Sequence, residues 1–286
     1  MWQDAEYTDR LVCFVDILGF KELVERSANP DLHESFILGD DRPKNAKDLC
    51  AIFDSLLHLL QMHKDEHYTP ESDRYKELLK YRTPVFVKGD MPDFQFGIFS
   101  DCIVFSVNRL SVGTMMLFCS MVETITSVLF ESSTTCRGGI SWGKCFHKDN
   151  VIFGPAMTEA YTIEQKTVYP RVIINPDIMP KLAACSGADD LSAFWISKDD
   201  DSQFFIDIIK HYDGCPEYNY YVMQFTHGMH WLLNLNLNHP DLKVRDKYNW
   251  YRPRFNNLLK KVKKFVKEDC PDRDYREEFL ALPYFK

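Results

Sequence analysis

The stretch Leu11-Val-Cys-Phe-Val-Asp-Ile-Leu-Gly-Phe20 places one acidic residue inside an apolar run. Its first five residues, 11–15, are apolar and predict a buried strand. Gly19 follows, and the residues from Phe20 onward predict the first turns of a helix. Burying an ionised carboxylate is costly unless a cation or hydrogen bonds compensate it. Asp16 lies where a strand meets a helix N-terminus, and the unpaired N–H groups of such a terminus attract anions. We therefore expect Asp16 to be functional.

A second acid, Asp101, lies between two short β-prone runs. The segment 94–107 predicts two strands that meet at Ser100 and Asp101, which makes a tight hairpin with a carboxylate at its tip. Magnesium in proteins is usually bound by one or two carboxylates together with substrate phosphates. A strand-end acid and a hairpin-tip acid therefore predict a site for two divalent metal ions, Mn²⁺ or Mg²⁺, and a nucleoside triphosphate.

Four motifs carry a resemblance to a known family. They are Phe14-x-Asp-Ile-x-Gly-Phe20, the Ser100-Asp101 hairpin, Arg137-Gly-Gly-Ile-x-x-Gly143 and Gly154-x-x-x-x-x-Ala-x-x-x-Glu164. Their order and rough spacing resemble those of class III nucleotidyl cyclases, over about the first two thirds of the chain. Their spelling is most similar to the pyrimidine cyclases of bacterial Pycsar anti-phage defence systems.

The periodicity of the sequence supports an α+β fold whose sheet is covered by helices, in the order strand, helix, helix, hairpin, helix, strand. The resemblance implies more narrowly a ferredoxin-like palm with an antiparallel-rich sheet. We expect this cyclase homology domain to span residues 1–210, with insertions at about 28–47 and 69–92. Residues 211–286 are expected to form a C-terminal helical extension, with one helix from Tyr220 to Asn238 and a second from Leu242 to Lys267.

The resemblance also implies a role for each site residue. Asp16 and Asp101 would be catalytic by binding the two ions, and the Ile17 carbonyl would complete one coordination sphere. The substrate would be contacted by residues around the acids, namely Phe14, Leu18, Gly19, Phe20, Gly97 and Val151. The N–H groups of residues 18–20 would hold its phosphates. One metal would activate the 3′-hydroxyl and the other would stabilise charge on the α-phosphate and the leaving pyrophosphate.

Two departures from the family concern the base. Gly97 and Val151 occupy the positions where purine cyclases usually offer a Lys and a base-reading Asp. Neither residue can make the polar contacts that distinguish adenine from guanine, and a site built to hydrogen-bond one base rejects another. Together with the resemblance, this predicts a pyrimidine substrate, UTP before CTP.

Two further departures concern a catalytic cation. Thr158 and Thr162 occupy the positions where the family carries an Asn and an Arg that reaches across a dimer interface. Either the protein is inactive, or a cation from elsewhere stabilises the charge that develops on the phosphates. We expect Arg171 to be this catalytic residue, and Arg137 and Lys166 are the alternatives.

The leading hypothesis is a homodimeric uridylate cyclase with composite active sites, whose cyclic product activates a separate effector during phage infection. The alternatives are a cytidylate cyclase, and a non-enzymatic pseudocyclase that binds a nucleotide or serves as a dimerisation module. A palm-type polymerase or diguanylate synthase would need a basic template groove or a Gly-Gly-acidic hairpin, and the sequence contains neither.

Composition and charge narrow the partners and the location. A net charge of −8 argues against a nucleic-acid partner, because binding polymer phosphates requires clustered lysine and arginine. Nine cysteines without a Cys-x-x-Cys pair are typical of buried free thiols in a reducing cytoplasm. The longest apolar run, 115–130, is shorter than the ~20 residues that span a bilayer and contains Glu123. It predicts a core helix, and hence no membrane partner.

Overall fold

The structure, a computed structural model, describes residues 5–29, 42–65, 92–186, 195–213, 220–268 and 273–286. Within these ranges there are eight strands: β1 (Thr8–Leu18), β2 (Phe94–Phe99), β3 (Cys102–Val107), β4 (Thr135–Lys148), β5 (Val151–Phe153), β6 (Val172–Ile174), β7 (Ile196–Lys198) and β8 (Phe204–Ile206). The helices are α1 (Phe20–Ala28), α2 (Ala46–Asp65), α3 (Val112–Glu131), α4 (Pro155–Lys166), α5 (Ile178–Ser186), α6 (Ile208–Asp213), α7 (Tyr220–Asn236), α8 (Leu242–Asn249), α9 (Arg252–Glu268) and α10 (Arg273–Ala281). Most of both expected insertions lies outside the described residues.

The strands form one eight-stranded, mostly antiparallel sheet in the order β2-β3-β1-β4-β6-β8-β7, with β5 paired to β4. The opening strand β1 is central, because it pairs along most of its length with β3 on one side and β4 on the other. Among the described strands, the parallel pair is β4 with β6. The predicted α+β class, with an antiparallel-rich sheet covered by helices, is therefore confirmed.

The two faces of β1 are covered by different helices. Leu11, Cys13, Val15 and Ile17 belong to the main core with α3, whereas Val12 and Phe14 pack with the alanines of α4. This alternation follows from the period of two in a strand. Asp16 continues the second set, so its side chain lies on the α4 face.

Helix α3 is the apolar segment for which a core position was expected. It is long and apolar enough to pass as a membrane span, but Met115, Phe118 and Leu129 are buried in the main core. Ser111 begins it with a capping box, since its side chain accepts from the Thr114 N–H. The expectation of a core helix is confirmed.

The C-terminal helices pack on the same core, with the rings of Phe130 and Phe225 5.1 Å apart. The sequence predicts a single helix from Leu242 to Lys267. This prediction is wrong, because the segment forms two helices, α8 and α9. The chain turns at residues 250–251, because Pro253 has no N–H to donate and its ring would clash with the carbonyl of Asn249. The division of the chain at residues 210 and 211 stays a prediction.

Strand β4 and helix α4 approach each other closely at Gly139, where an added Cβ would overlap the carbonyl oxygen of Ala160. We expect Gly139→Ala to lower the free energy of unfolding by about 1–3 kcal/mol, because overpacking forces backbone shifts. Urea denaturation measures this. Gly143→Ala is the matched control, since a Cβ there would meet Ala156 at an ordinary 3.8 Å. Equal stability of the two variants would contradict the close packing of α4 on β4.

Candidate functional site

The site begins at the C-terminal end of β1. Asp16 lies between two neighbouring strands, opposite Cys102 of β3 and opposite Arg137 of β4. Its side chain is 20 % exposed. The strand therefore holds the carboxylate at a fixed position that solvent or a ligand can still reach.

Asp101 reaches the same place from the turn between β2 and β3. Ser100 adopts a left-handed conformation with φ of 55°, which lets the chain reverse in two residues. The N–H of Ile17 donates to the Asp101 carbonyl over 2.9 Å, which ties the turn to β1. One ligand atom from each of Asp16, Asp101 and Cys102 lies within 4.8 Å of the others. The structure thus brings the two predicted acids together.

The donor set of this cluster favours a hard cation. Burial, reinforced by the charge of Asp101, raises the pKa of the Cys102 thiol to about 12, so the sulfur stays protonated. The Ile17 carbonyl points to the same edge of β1 as the N–H that contacts Asp101, since both groups of a strand residue face one neighbour. Two carboxylates and a carbonyl fit the oxygen coordination of Mg²⁺ or Mn²⁺, whereas a protonated thiol contributes little.

Arg137 and Glu164 complete the acidic cluster. The Nε of Arg137 lies 3.3 Å from Asp16 Oδ2 and 2.6 Å from Glu164 Oε1, and Glu164, a residue of α4, is fully buried. Burial raises the pKa of Asp16, opposed by Arg137 and reinforced by Asp101. Burial likewise raises the pKa of Glu164. Two carboxylates therefore contact one guanidinium, and Asp101 adds a third carboxylate beside Asp16, so negative charge is in excess here.

The start of α1 provides an anion-binding element beside the acids. Gly19 precedes the helix in a left-handed conformation with φ of 73°, and the first intrahelical bond runs from the Leu23 N–H to the Gly19 carbonyl over 3.1 Å. The N–H groups of residues 20–22 therefore have no acceptor within the helix. Leu18 belongs to the β1–β4 ladder opposite Thr135, and its carbonyl accepts from the Thr134 hydroxyl over 2.6 Å.

The expected substrate contacts are spread around these groups. Phe14 is buried, and its ring meets Tyr161 of α4 edge-on at 5.4 Å. Gly97 lies in β2, where a Cβ would be 4.0 Å from Asn150 Oδ1, and Val151 follows that asparagine as an exposed residue. The two positions expected near the base are therefore neighbours through Asn150.

Arg171 is not brought to the acids. Its side chain, 2 % exposed, forms ion pairs with Asp199 and Asp201. It lines a small cavity with Thr126 of α3 and Cys136, on the face of the sheet opposite Asp16. Among the described residues, the arginine that contacts the acid cluster is Arg137, which the sequence offered only as an alternative.

The other positions on α4 face away from the cluster. Lys166 is exposed at the end of the helix. The hydroxyls of Thr158 and Thr162 donate to carbonyls one turn earlier in the same helix, over 3.2 and 2.8 Å. Glu164 was visible in the sequence as the last residue of the fourth motif, but its partner across the β4–α4 interface could not be inferred from spacing.

The chain matches no family model and no curated protein. The class that can be assigned is therefore the one defined by fold and site. This is an α+β protein with a cluster of acidic residues where a central strand, a hairpin and a helix N-terminus meet. A more specific function is a proposal.

Proposed function

We propose that this protein is a metal-dependent pyrimidine nucleotide cyclase that converts UTP to 3′,5′-cyclic UMP and pyrophosphate. The observation that carries the proposal is the convergence of Asp16 and Asp101 beside the N-terminus of α1. The strand order β2-β3-β1-β4, with α3 between the hairpin and β4, supports a ferredoxin-like palm. A carboxylate pair at the ends of the two central strands of such a palm, one on β1 and one in the turn before β3, is suited to a nucleoside triphosphate with its metal ions.

Each group of the site has a role in this reaction. Asp16, Asp101 and the Ile17 carbonyl would hold two divalent ions, which when bound supply acidity to the 3′-hydroxyl and charge stabilisation to the phosphates. The N–H groups of residues 20–22, which have no acceptor within the helix, would bind phosphate oxygens, in place of those of residues 18–20 that the resemblance implies. The 3′-hydroxyl gives up its proton to solvent, its oxygen forms a bond to the α-phosphorus, the bond from the α-phosphorus to the bridging oxygen of the β-phosphate breaks, and pyrophosphate leaves. A protein nucleophile is not needed.

Arg137 is the residue best placed to stabilise the charge that develops on the phosphates. Glu164 fixes its guanidinium beside Asp16, and a preorganised cation costs no reorganisation during the reaction. Arg171 remains a catalytic candidate only if its ion pairs with Asp199 and Asp201 exchange for contacts in an assembled site. Its burial on the opposite face favours Arg137.

The partners and the biological role belong to the same proposal. A homodimer with composite sites is supported by exposed aromatic residues beside α4, where Tyr7, Phe153 and Tyr161 are each about half exposed. A cytoplasmic location is supported by the free thiols of all the described cysteines. The cyclic product would activate a separate effector in anti-phage defence, a role that follows from the resemblance alone.

The substrate is tested by competition. We expect cyclic UMP to predominate when equal ATP, GTP, CTP and UTP are offered together with Mn²⁺ and the products are separated by chromatography. The physical reason is that Gly97 and Val151 offer no polar side chain to a purine edge. Predominant cyclic AMP or cyclic GMP would contradict the pyrimidine proposal, whereas predominant cyclic CMP would contradict only the choice of uridine.

The second candidate is a pseudocyclase that binds a nucleotide without turning it over. It is favoured by the engagement of Arg137 with Glu164 and of Arg171 with two aspartates, because both arginines are already paired. Tight binding of UTP with Mn²⁺, without any cyclic product, would support this alternative.

A further inference from the structure

The turn between β1 and α1 is held by a side chain from another part of the chain. Gly19 is exposed, and a Cβ added to it would meet no atom within 4 Å, so packing does not fix this residue. Glycine also has more conformational freedom than other residues. The carbonyl of the preceding Leu18, however, accepts from the Thr134 hydroxyl over 2.6 Å. Thr134 therefore restrains a turn that packing alone leaves free.

Thr134 is itself fixed by the end of the core helix α3. Its N–H donates to the Leu129 carbonyl over 3.0 Å, and the preceding Ser133 has a left-handed φ of 55°. The Ser133 N–H donates to the Phe130 carbonyl over 3.0 Å, which completes a Schellman motif. Thr134 is only 4 % exposed. Its hydroxyl thus has a defined position relative to the main core.

The hydrogen bond from Thr134 decides the direction of the Gly19 N–H. In a trans peptide, the carbonyl of one residue and the N–H of the next point in opposite directions. The Leu18 carbonyl points to the β4 side, where Thr134 lies, so the Gly19 N–H points to the β3 side. The Ile17 N–H points that way too, because it donates to the Asp101 carbonyl over 2.9 Å. The Gly19 N–H is therefore aimed toward the side of β1 on which the hairpin acid lies.

The Gly19 N–H is available to a ligand. Among the described residues, none accepts a hydrogen bond from it. Gly19 is left-handed, with φ of 73°, and Phe20 begins the right-handed helix α1. Two successive residues of opposite hand turn their N–H groups toward one concavity, which attracts anions. The Gly19 N–H can therefore join those of residues 20–22 at a single anion.

We infer that Thr134 is a positioning residue for phosphate binding, and that the Gly19 N–H is the donor it positions. The inference deepens the proposed function and rests on it for the class of ligand, a metal-bound triphosphate. The Thr134 hydroxyl does not touch the ligand. It holds the peptide between Leu18 and Gly19 in the orientation that phosphate binding requires, and such preorganisation lowers the cost of binding. The core helix α3 thereby sets the geometry of the candidate site.

The test compares two threonines that make the same kind of hydrogen bond. We expect Thr134→Val to weaken the binding of inorganic tripolyphosphate in the presence of Mn²⁺ by about tenfold, the order of one hydrogen bond. Thr134→Ser keeps the hydroxyl and should bind within about twofold of the wild type. Thr226→Val is the matched control, because the buried Thr226 hydroxyl donates to the Val222 carbonyl within α7, over 2.7 Å. Isothermal titration calorimetry measures the affinities.

Two further measurements separate positioning from folding. Each valine variant removes a buried hydrogen bond and should lower the melting temperature, but only Thr134→Val should lose tripolyphosphate affinity. Its affinity for Mn²⁺ alone should be unchanged, since the two acids are intact.

The wild type offers a measurement that needs no variant. We expect the Gly19 amide proton to shift in NMR spectra when tripolyphosphate and Mg²⁺ are added, because its N–H then donates to a phosphate oxygen. The amide of Gly228, which lies in α7, should not shift. This measurement decides the matter if Thr134→Val does not fold.

Equal tripolyphosphate affinity in wild type and Thr134→Val, an equal loss in Thr226→Val, or an unshifted Gly19 amide at saturation would overturn the inference. Absence of tripolyphosphate binding by the wild type would overturn it as well. If the wild type binds tripolyphosphate with Mn²⁺ but forms no cyclic nucleotide, the proposed function fails. The loss in Thr134→Val and its recovery in Thr134→Ser would then still establish the positioning role.

Discussion

Asp16→Asn and Asp101→Asn are each expected to lower the rate of cyclic nucleotide formation by at least 100- to 1,000-fold, the order of loss when one charge-stabilising group is removed from a catalytic site. The two side chains supply the carboxylates of the proposed metal site, and an amide is a much weaker ligand for a hard divalent ion. Asp9→Asn is the matched control, because Asp9 lies on the same strand but is exposed and paired with Lys144. Turnover that survives in both site variants would contradict the two-acid mechanism.

Asp16→Asn should lower the rate of cyclic nucleotide formation but leave the thermal stability of the protein unchanged or raise it. Burial raises the pKa of Asp16 in the folded protein above its unfolded value, so the stability associated with this group is lost as pH rises through the folded pKa. At neutral pH the ionised carboxylate is thus less favourable than a neutral amide. We expect Asp16→Asn to melt at the same or a higher temperature than the wild type, and to lose the stabilisation that Mn²⁺ confers. This outcome would separate loss of function from loss of fold.

Arg137→Met is expected to have the largest effect on stability, about 3–5 kcal/mol, the range for breaking a buried ion pair by removing one partner. The reason is Glu164, which is 0 % exposed and would remain without its cation. Arg137 opposes the effect of burial on the pKa of Glu164, so removing it should raise this pKa further. The stability deficit should therefore shrink as pH falls and increase as pH rises through that pKa.

Urea denaturation of the Arg137→Met variant at about pH 5 and pH 8 measures this dependence. The double variant Arg137→Met/Glu164→Gln should recover most of the lost stability, because no buried charge then lacks a partner. Cyclase activity should remain low in the double variant, since the cation beside Asp16 is still absent. A single variant as stable as the wild type at both pH values would contradict the buried pair.

Local patterns were sufficient to predict the centre of this site. The apolar run before Asp16 predicts the central strand, and the two β-prone runs around Asp101 predict the hairpin that brings the second acid to it. Both signals depend on residues within one element or one turn. Alternation along β1 also places Asp16 on the α4 face.

The arginine beside Asp16 was harder to predict than the two acids, because its position depends on tertiary contacts. Arg171 lies close in sequence to the expected helix, but its segment before β6 is irregular, and strand alternation could not show that the side chain enters the opposite face. Arg137 is held in place by Glu164, which is 27 positions away in the chain. The two residues meet because Gly139 lets β4 approach α4.

Pro253 was a sequence signal for the helix break at residues 250–251, but the apolar spacing around it favoured one continuous helix. Pro253 is well tolerated in the first turn of a helix and poorly tolerated in its interior, so it marks the beginning of α9. This break allows Tyr251 to reach the Pro170 carbonyl. A small error in helix boundaries therefore concealed a tertiary contact.

The central claim, metal-dependent cyclisation at Asp16 and Asp101, is tested most directly by product analysis. The purified protein is incubated with UTP and Mn²⁺, and the products are identified by mass and by comparison with standard 3′,5′-cyclic UMP. We expect cyclic UMP and pyrophosphate in equal amounts, abolished by excess EDTA and absent with Asp101→Asn. Binding of UTP without any cyclic product from any of the four triphosphates, with Mn²⁺ or Mg²⁺, would contradict the claim.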